Sequence, residues 1–125
     1  MIKTTSTDKD FHCILTNDKL TVDIDVSVYK GGLGNGFRPH ELLEGALASC
    51  ISITIRMFAK EKNIKLDKVE TQVKIEKTDN TTTFKYKIML DDTLNENDTD
   101  FLMNIINSCA VKKTLSKHLE FIQDK

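Results

Sequence analysis

Three cysteines are the residues of this 125-residue chain best suited to chemistry: Cys13, Cys50 and Cys109. They are too few and too scattered for the disulfide framework of a small secreted protein, and no two stand in the CxxC spacing of a zinc site. In a reducing compartment such thiols are more often buried than reactive. Spacing alone therefore leaves two interpretations open, a functional pair of Cys50 and Cys109 or inert thiols in the core.

Cys50 lies in the longest element that the sequence predicts, a helix from Pro39 to about Lys62. Proline suits the first turn of a helix because its φ is already fixed and it has no amide hydrogen to satisfy. One face carries an apolar stripe at three- and four-residue spacing: Leu43, Ala46, Leu47, Cys50, Ile53, Thr54 and Met57. A second face carries mostly small residues: Glu41, Gly45, Ala48, Ser49, Ser52 and Ala59. We predict a buried helix whose second face lets another helix approach closely.

A reactive Cys50 would need help to ionise, because desolvation on an apolar stripe raises the pKa of a thiol. Arg38 precedes it by twelve residues, roughly 18 Å along a straight helix axis. Arg56 points roughly 120° away around the same helix. We therefore expect the activating group to come from another element or another chain, and the small-residue face offers a second chain a place to dock.

Charge and composition exclude several classes of partner. The chain has 18 basic and 19 acidic residues and a net charge of -1, so it lacks the basic stripe of a nucleic-acid-binding protein. Glu41, Glu44, Arg56 and Lys60 interrupt the long helix, which leaves an uncharged run shorter than the roughly 20 residues that span a bilayer. We expect neither a nucleic-acid partner nor a membrane span.

The length predicts one domain over residues 1–125. Residues 1–9 are polar and contain no apolar signal region, which predicts a loose N-terminal tail and a cytoplasmic protein. Alternating patterns over 11–15 and 20–26 predict a hairpin with Cys13 on the apolar face and His12 on the surface. Residues 30–38 hold four glycines, so this loop requires positive φ or a close backbone approach. The Walker pattern is missing, so a nucleotide site is not expected.

After the long helix, alternation over 69–76 and 84–90 predicts a second antiparallel hairpin with one packed face. A helix follows, with candidate N-caps at 97–99 and Cys109 at its end. Residues 110–116 predict a further helical turn and 118–122 a closing strand. This order is an α+β arrangement in which antiparallel sheets pack on helices.

Two segments resemble the cysteine motifs of the OsmC/Ohr family, the osmotically inducible protein C and organic hydroperoxide resistance proteins. The first is PHELL, ALASC and TIRMFA around Cys50, and the second is SCAVKKTL around Cys109. Gly31, Gly32 and the order of strands fit as well, so the resemblance covers nearly the whole chain.

The resemblance implies an OsmC-like α+β fold and an intertwined bacterial homodimer with two long helices back to back. It also implies a thiol-dependent peroxidase of oxidative-stress defence that reduces organic hydroperoxides without a metal or cofactor. Cys50 would be the peroxidatic cysteine and Cys109 the resolving one, joined in a disulfide that a dithiol, of lipoyl type for some members, then reduces.

The chain departs from the peroxidase branch that it resembles, which uses an arginine before the long helix and a glutamate just after its first proline. Here the first arginine is Arg38, His40 follows Pro39, and Glu41 comes one place later. Arg38 and Glu41 are the substitutes that the sequence offers, although both suit solvated charges at a helix start. His40 is not expected to be a base or a metal ligand. The second motif has Ala110 where the family usually has proline.

A second hypothesis, favoured by the missing arginine, is a non-catalytic dimer. Its interfacial pocket would bind an apolar small molecule, such as a fatty or aromatic ligand, and its thiols would be structural.

Overall fold

A computed structural model of the chain describes residues 1–124. It contains two compact units, residues 1–43 and a second that begins at Glu44; the single domain over 1–125 stays a prediction. The strands are β1 Lys3–Ser6, β2 Cys13–Thr16, β3 Thr21–Ile24, β4 Val69–Lys77 and β5 Thr82–Leu90. The helices are α1 Pro39–Glu61, α2 Glu96–Met103 and α3 Ala110–Leu115, with 3₁₀ turns at Val28–Lys30 and Ile105–Ser108.

The first unit contains an antiparallel sheet of three strands in the order β1-β2-β3. The predicted hairpin is confirmed in β2 and β3, where Cys13 pairs with Ile24. The loose tail predicted for residues 1–9 is wrong in part, because Lys3–Ser6 pairs with β2. All four β1 side chains are exposed, so this strand is held by its backbone hydrogen bonds. Its sequence has no alternation of apolar and polar residues from which a strand could be predicted.

His12 is not the surface residue that the alternation predicts. Its side chain is 12% exposed, and Nε2 lies 2.9 Å from Asp23 Oδ1. Its Nδ1 lies 2.9 Å from Thr7 Oγ1. The polar ring is therefore paired on both nitrogens, and Cys13 beside it is a half-buried free thiol.

The glycine-rich loop wraps around a buried carboxylate. Asp25 is 2% exposed and accepts hydrogen bonds from the amides of Val26 at 2.8 Å, Leu33 at 3.2 Å and Asn35 at 3.2 Å. A Cβ added at Gly32 would lie 2.3 Å from the Val26 carbonyl oxygen. The predicted close backbone approach is confirmed here, and the structure gives the loop a role in satisfying Asp25.

Replacing Asp25 with asparagine is expected to destabilise the protein at neutral pH. Burial raises the pKa of Asp25, but hydrogen bonds from the amides of Val26, Asn35 and Leu33, with the charge of His12, lower it below its ordinary value. The stability that this carboxylate contributes is therefore present above the unfolded pKa of about 3.9 and is lost as the pH falls through the lower folded value.

Urea denaturation at pH 7 and at lower pH checks this expectation. The midpoint of Asp25→Asn should lie below that of the parent at pH 7, and the gap should narrow towards pH 3. Asp8→Asn, which changes an exposed carboxylate of the same unit, serves as the control. A difference in urea midpoint between Asp25→Asn and the parent that stays the same at every pH would contradict a stabilising role for the ionised Asp25.

In the second unit, the predicted hairpin of β4 and β5 is confirmed, with Val69 opposite Leu90. The helix binds the hairpin through polar contacts as well: Ser52 Oγ donates to Thr71 Oγ1 at 2.8 Å, and the Ile75 amide donates to Glu44 Oε2 at 2.9 Å. The hydrophobic core comprises Leu47, Ile51, Ile55, Ala59, Leu66, Ile88, Leu102, Ile105 and Cys109.

The bounds predicted for α1 are confirmed, but the predicted buried stripe is wrong in part, since Leu47 is buried and Cys50 and Thr54 are half-buried. The buried face is Leu47, Ile51, Ile55 and Ala59, whereas Ile53 and Met57 of the predicted stripe are 55% and 65% exposed. Because nearly all residues of this helix are apolar or small, its two sides differ too little in polarity for the sequence pattern to identify the buried face.

By length and composition alone, α1 could cross a membrane; it is the one such helix in residues 1–124, and an 18-residue window of it has a mean hydropathy of 1.5. The core helix of a folded domain passes the same test. Since Leu47, Ile51, Ile55 and Ala59 are buried in a protein core, we describe α1 as a core helix.

Two side chains hold the loop between α1 and β4. The Arg56 guanidinium donates to the carbonyl oxygens of Leu66 and Asp67. The Asp91 carboxylate accepts from the amides of Asp67 at 2.6 Å and Lys68 at 2.9 Å. Arg56 is thus committed to the loop, in agreement with the prediction that it does not reach Cys50.

The two predicted C-terminal helices are present, but α2 is capped by Asn95, whose side chain accepts from the Asp98 amide at 2.8 Å. The predicted caps at 97–99 lie inside the helix. The closing strand predicted at 118–122 is also wrong, since residues 117–124 contain no strand or helix. Its alternating Leu119 and Phe121 are 49% and 91% exposed, because alternation alone does not make a strand without an edge to pair with.

Candidate active site

The structure brings the Cys50 and Cys109 thiols into contact in the second unit. Cys50 is half-buried on α1 and packs against the core cluster that contains Cys109. Cys109 is fully buried, at 0% exposure, in the link between the 3₁₀ turn Ile105–Ser108 and α3. The Cys109 side chain acts as a hydrogen-bond donor to the Cys50 sulfur, and both are free thiols.

Backbone amides at the start of α3 complete one side of the site. The amides of Ala110 and Val111 face the Cys50 sulfur as hydrogen-bond donors. In the first turn of α3, the Lys113 amide donates to the Cys109 carbonyl oxygen at 3.1 Å. The amides before it have no carbonyl acceptor in their own helix. Those of Ala110 and Val111 donate to the Cys50 sulfur, and those of Val111 and Lys112 also donate to the sulfur of Cys109.

These contacts separate the acidities of the two thiols. Burial raises the pKa of Cys50, but donors from the Val111 amide, the Cys109 thiol, the Thr54 hydroxyl and the Ala110 amide lower it below its ordinary value. Burial raises the pKa of Cys109, and its hydrogen bond to Cys50 and the negative charge there raise it further. The more exposed sulfur is therefore the more acidic one, which suits it to be the nucleophile.

Removing the Ala110 amide hydrogen is expected to raise the pKa of Cys50. Cys109 has an extended backbone, with φ -70 and ψ 118, which is compatible with a following proline. Ala110 is also the first residue of α3, where proline is well tolerated. Ala110→Pro thus removes a donor with little change in backbone.

Loss of one hydrogen bond to a charged sulfur should slow alkylation of Cys50 by iodoacetamide at pH 7 about three- to tenfold. The rate against pH, read by peptide mass spectrometry, measures the shift. Ala110→Ser keeps the amide hydrogen and should behave as the parent. If the alkylation rate depends on pH in the same way in Ala110→Pro and Ala110→Ser, the Ala110 amide is not a donor to Cys50.

The other predicted site residues belong to the first unit. Arg38 and Glu41 form an ion pair with each other, Nε to Oε1 at 2.5 Å; a role for either in activation stays a prediction. His40 is exposed at the second position of α1. Within residues 1–124, no group of three or more His, Cys, Asp and Glu side chains is placed to hold a metal ion.

The donors to Cys50 are the functional groups that the sequence did not reveal. Any residue type supplies a backbone amide, so the sequence does not mark these donors. Thr54 falls on the predicted apolar stripe by its spacing, and that spacing does not indicate a hydrogen bond to Cys50. Ala110 was the available signal, because the resemblance implies a proline at this position and proline carries no amide hydrogen.

Residues 32–123 match the family model described as OsmC-like protein. This match covers more than half of the chain. The protein belongs to the OsmC-like family.

Solved structures agree with this OsmC-like assignment. A protein of Psychrobacter arcticus, described as a candidate osmotic stress induced and detoxification response protein, has a TM-score of 0.76 and 21% identity over 90% of this chain and 85% of that one. OhrB of Bacillus subtilis, an organic hydroperoxide resistance protein, has a TM-score of 0.62 and 23% identity over 93% and 89%. An organic hydroperoxide resistance protein OsmC of Legionella pneumophila has a TM-score of 0.67 and 19% identity over 93% and 88%.

At these identities the likeness shows the fold: the predicted α+β architecture, with antiparallel sheets and a long central helix, is confirmed as OsmC-like. No curated protein matches the chain at a significant level.

Proposed function

We propose that this OsmC-like protein is a cysteine-dependent peroxidase that reduces organic hydroperoxides, with Cys50 as the attacking thiol and Cys109 as the resolving thiol. The observation that supports this most is the contact between two thiols whose pKa values move apart, lowered at Cys50 and raised at Cys109. Such a pair supplies one nucleophile and one proton-bearing partner.

The fold supports the same substrate class. OhrB of Bacillus subtilis and the Legionella pneumophila protein are both described as organic hydroperoxide resistance proteins. We carry that description to this chain as a proposal, because two thiols stand together on the shared fold. The role in the cell would be defence against peroxides in the cytoplasm.

The proposed reaction has two steps. The Cys50 thiolate attacks the terminal oxygen of the hydroperoxide, so that an S–O bond forms, the O–O bond breaks, and the leaving alkoxide takes a proton to become an alcohol. The Cys109 sulfur then attacks the sulfenic acid at Cys50; an S–S bond forms, and hydroxide leaves with the Cys109 proton as water. A dithiol reductant returns the disulfide to two thiols and is itself oxidised.

We further propose that the protein works as a homodimer. The face of α1 turned away from the core exposes Ile53 and Met57, and the C-terminal segment exposes Phe121 and Ile122 at 91% and 80%. Apolar side chains at this exposure are costly in water. A second copy would cover the helix face and give the alternating C-terminal segment a sheet edge to pair with.

Stopped-flow mixing of reduced protein with cumene hydroperoxide tests the proposed function. We expect consumption of one hydroperoxide per Cys50–Cys109 pair, and a peptide map of the product should contain a disulfide between these two residues. Consumption without that disulfide would overturn the resolving role of Cys109, and no consumption would overturn the peroxidase.

An apolar cavity keeps the binding hypothesis as a second candidate. It measures about 400 Å³, and Ile53, Met57 and Val69 line it beside Arg56 and Lys60. A mainly apolar ligand would suit these walls, because the Arg56 guanidinium already donates to the Leu66 and Asp67 carbonyl oxygens and Asp67 itself also lines the cavity. Native mass spectrometry of protein taken from cells separates the candidates: a co-purifying ligand together with thiols inert to cumene hydroperoxide would support binding.

A further inference from the structure

We propose that the Thr54 hydroxyl is a switchable hydrogen-bond donor for Cys50, donating to the Cys50 carbonyl oxygen when the side chain is a thiol and to the sulfur when it is a thiolate. This inference rests on the proposed function of Cys50 as the attacking thiol.

Helix geometry places the hydroxyl between the two acceptors. Thr54 follows Cys50 by one turn, and side chains in a helix lean towards its N-terminus, so the Thr54 side chain lies over residue 50. Its Oγ1 donates to the Cys50 carbonyl oxygen at 2.7 Å. The same hydroxyl is among the donors that lower the pKa of Cys50. Because a hydroxyl has one hydrogen, it can serve only one of these acceptors at a time.

The charge on Cys50 decides which acceptor receives the hydrogen. Within an α-helix, the carbonyl oxygen of residue 50 already accepts from the amide of residue 54, so it stays satisfied when the hydroxyl turns away. A thiolate has no such compensation, and a hydrogen bond to an ionised group is roughly twice as strong as a neutral one. Ionisation of Cys50 therefore favours rotation of the hydroxyl to the sulfur.

The switch operates beside the other groups that face the sulfur. These are the Ala110 and Val111 amides, which are fixed in the backbone, and the Cys109 thiol, which is the titratable neighbour. In the proposed cycle Cys109 must give up its proton when the disulfide forms, whereas Thr54 keeps its own. Thr54 is thus a side-chain donor that stays available through every ionisation state of the pair.

Thr54→Val removes the hydroxyl and preserves the branched shape of the side chain, and Thr54→Ser preserves the hydroxyl. We expect the pH midpoint for alkylation of Cys50 by iodoacetamide to rise in the valine variant, with a rate at pH 7 about three- to tenfold below that of the parent. The serine variant should keep the parent midpoint. At a pH above both midpoints, the rates of parent and valine variant should converge.

A merely structural role for Thr54 would change the urea midpoint and leave the pH profile of alkylation in place. An unchanged profile in Thr54→Val would overturn the inference, and so would a serine variant that shifts as far as the valine one. If the valine variant does not fold, as judged by circular dichroism, Thr54→Ala takes its place in the same comparison.

Alkylation does not require peroxidase activity, so the two proposals fail separately. A shifted midpoint in Thr54→Val together with a parent that does not consume cumene hydroperoxide would support the donor and overturn the peroxidase. A parent that consumes cumene hydroperoxide, together with an unshifted midpoint in Thr54→Val, would support the peroxidase and overturn the donor.

Discussion

Cys50→Ser is expected to lower the rate of cumene hydroperoxide consumption by more than about 1,000-fold, because a serine hydroxyl is far less ionised and less nucleophilic than an activated thiolate. Stopped-flow mixing of reduced protein with the hydroperoxide measures the loss. Cys13→Ser, which changes the half-buried thiol of the first unit, is the matched control and should keep the parent rate. A serine variant at position 50 that reacts as fast as the parent would exclude this residue as the nucleophile.

Cys109→Ser separates attack from resolution. Cys50 would still react with one equivalent of hydroperoxide, but its sulfenic acid would have no partner in contact. Mass spectrometry should then find sulfenic and sulfinic acid at Cys50 where the parent gives a disulfide. Sustained turnover without oxidation of Cys50 beyond the sulfenic acid would mean that another thiol resolves it.

The second large effect is on stability, where Leu102→Ala is expected to lower the free energy of unfolding by about 2–5 kcal/mol. Leu102 is 0% exposed, in the same core cluster as Ile55, Ile105 and Cys109. Truncation leaves a cavity beside three other buried side chains, which relax only in part.

Urea denaturation followed by circular dichroism gives the free energy of unfolding. Met103→Ala is the matched control, since Met103 is the next residue of α2 and is 41% exposed; its effect should be well below that of Leu102→Ala. Equal losses in the two variants would contradict the position of Leu102 in the core.

The extent of α1 could be predicted because it depends on local chemistry: Pro39 opens the helix and nothing inside it forces a break. The buried face of α1 could not be predicted, because both sides carry large apolar residues. Ile51 and Ile55 on one side are buried, whereas Ile53 and Met57 on the other are exposed. That choice is made by the hairpin and α2, which are distant in sequence.

The two cysteines of the candidate site came from motif resemblance, and spacing alone would have left them undecided. Their environment could not be predicted, because it is built from the amides of Ala110 and Val111 and from the rotation of one hydroxyl. The same limit applies to β1 and to Asp25, where backbone groups do the pairing. Periodicity reports where side chains are buried and carries no information on where amides point.

The unequal exposure of the two sulfurs fixes the order of events when the proposed disulfide is reduced. Cys109 is fully buried and Cys50 half-buried, so an incoming thiolate can reach only the Cys50 side and forms its mixed disulfide there. Cys109 is then the leaving group, and because burial raises the pKa of its thiol it departs slowly unless a proton reaches it. The buried cysteine, rather than the reactive one, would thus set the pace of recovery and favour a reductant whose second thiol lies close to the first.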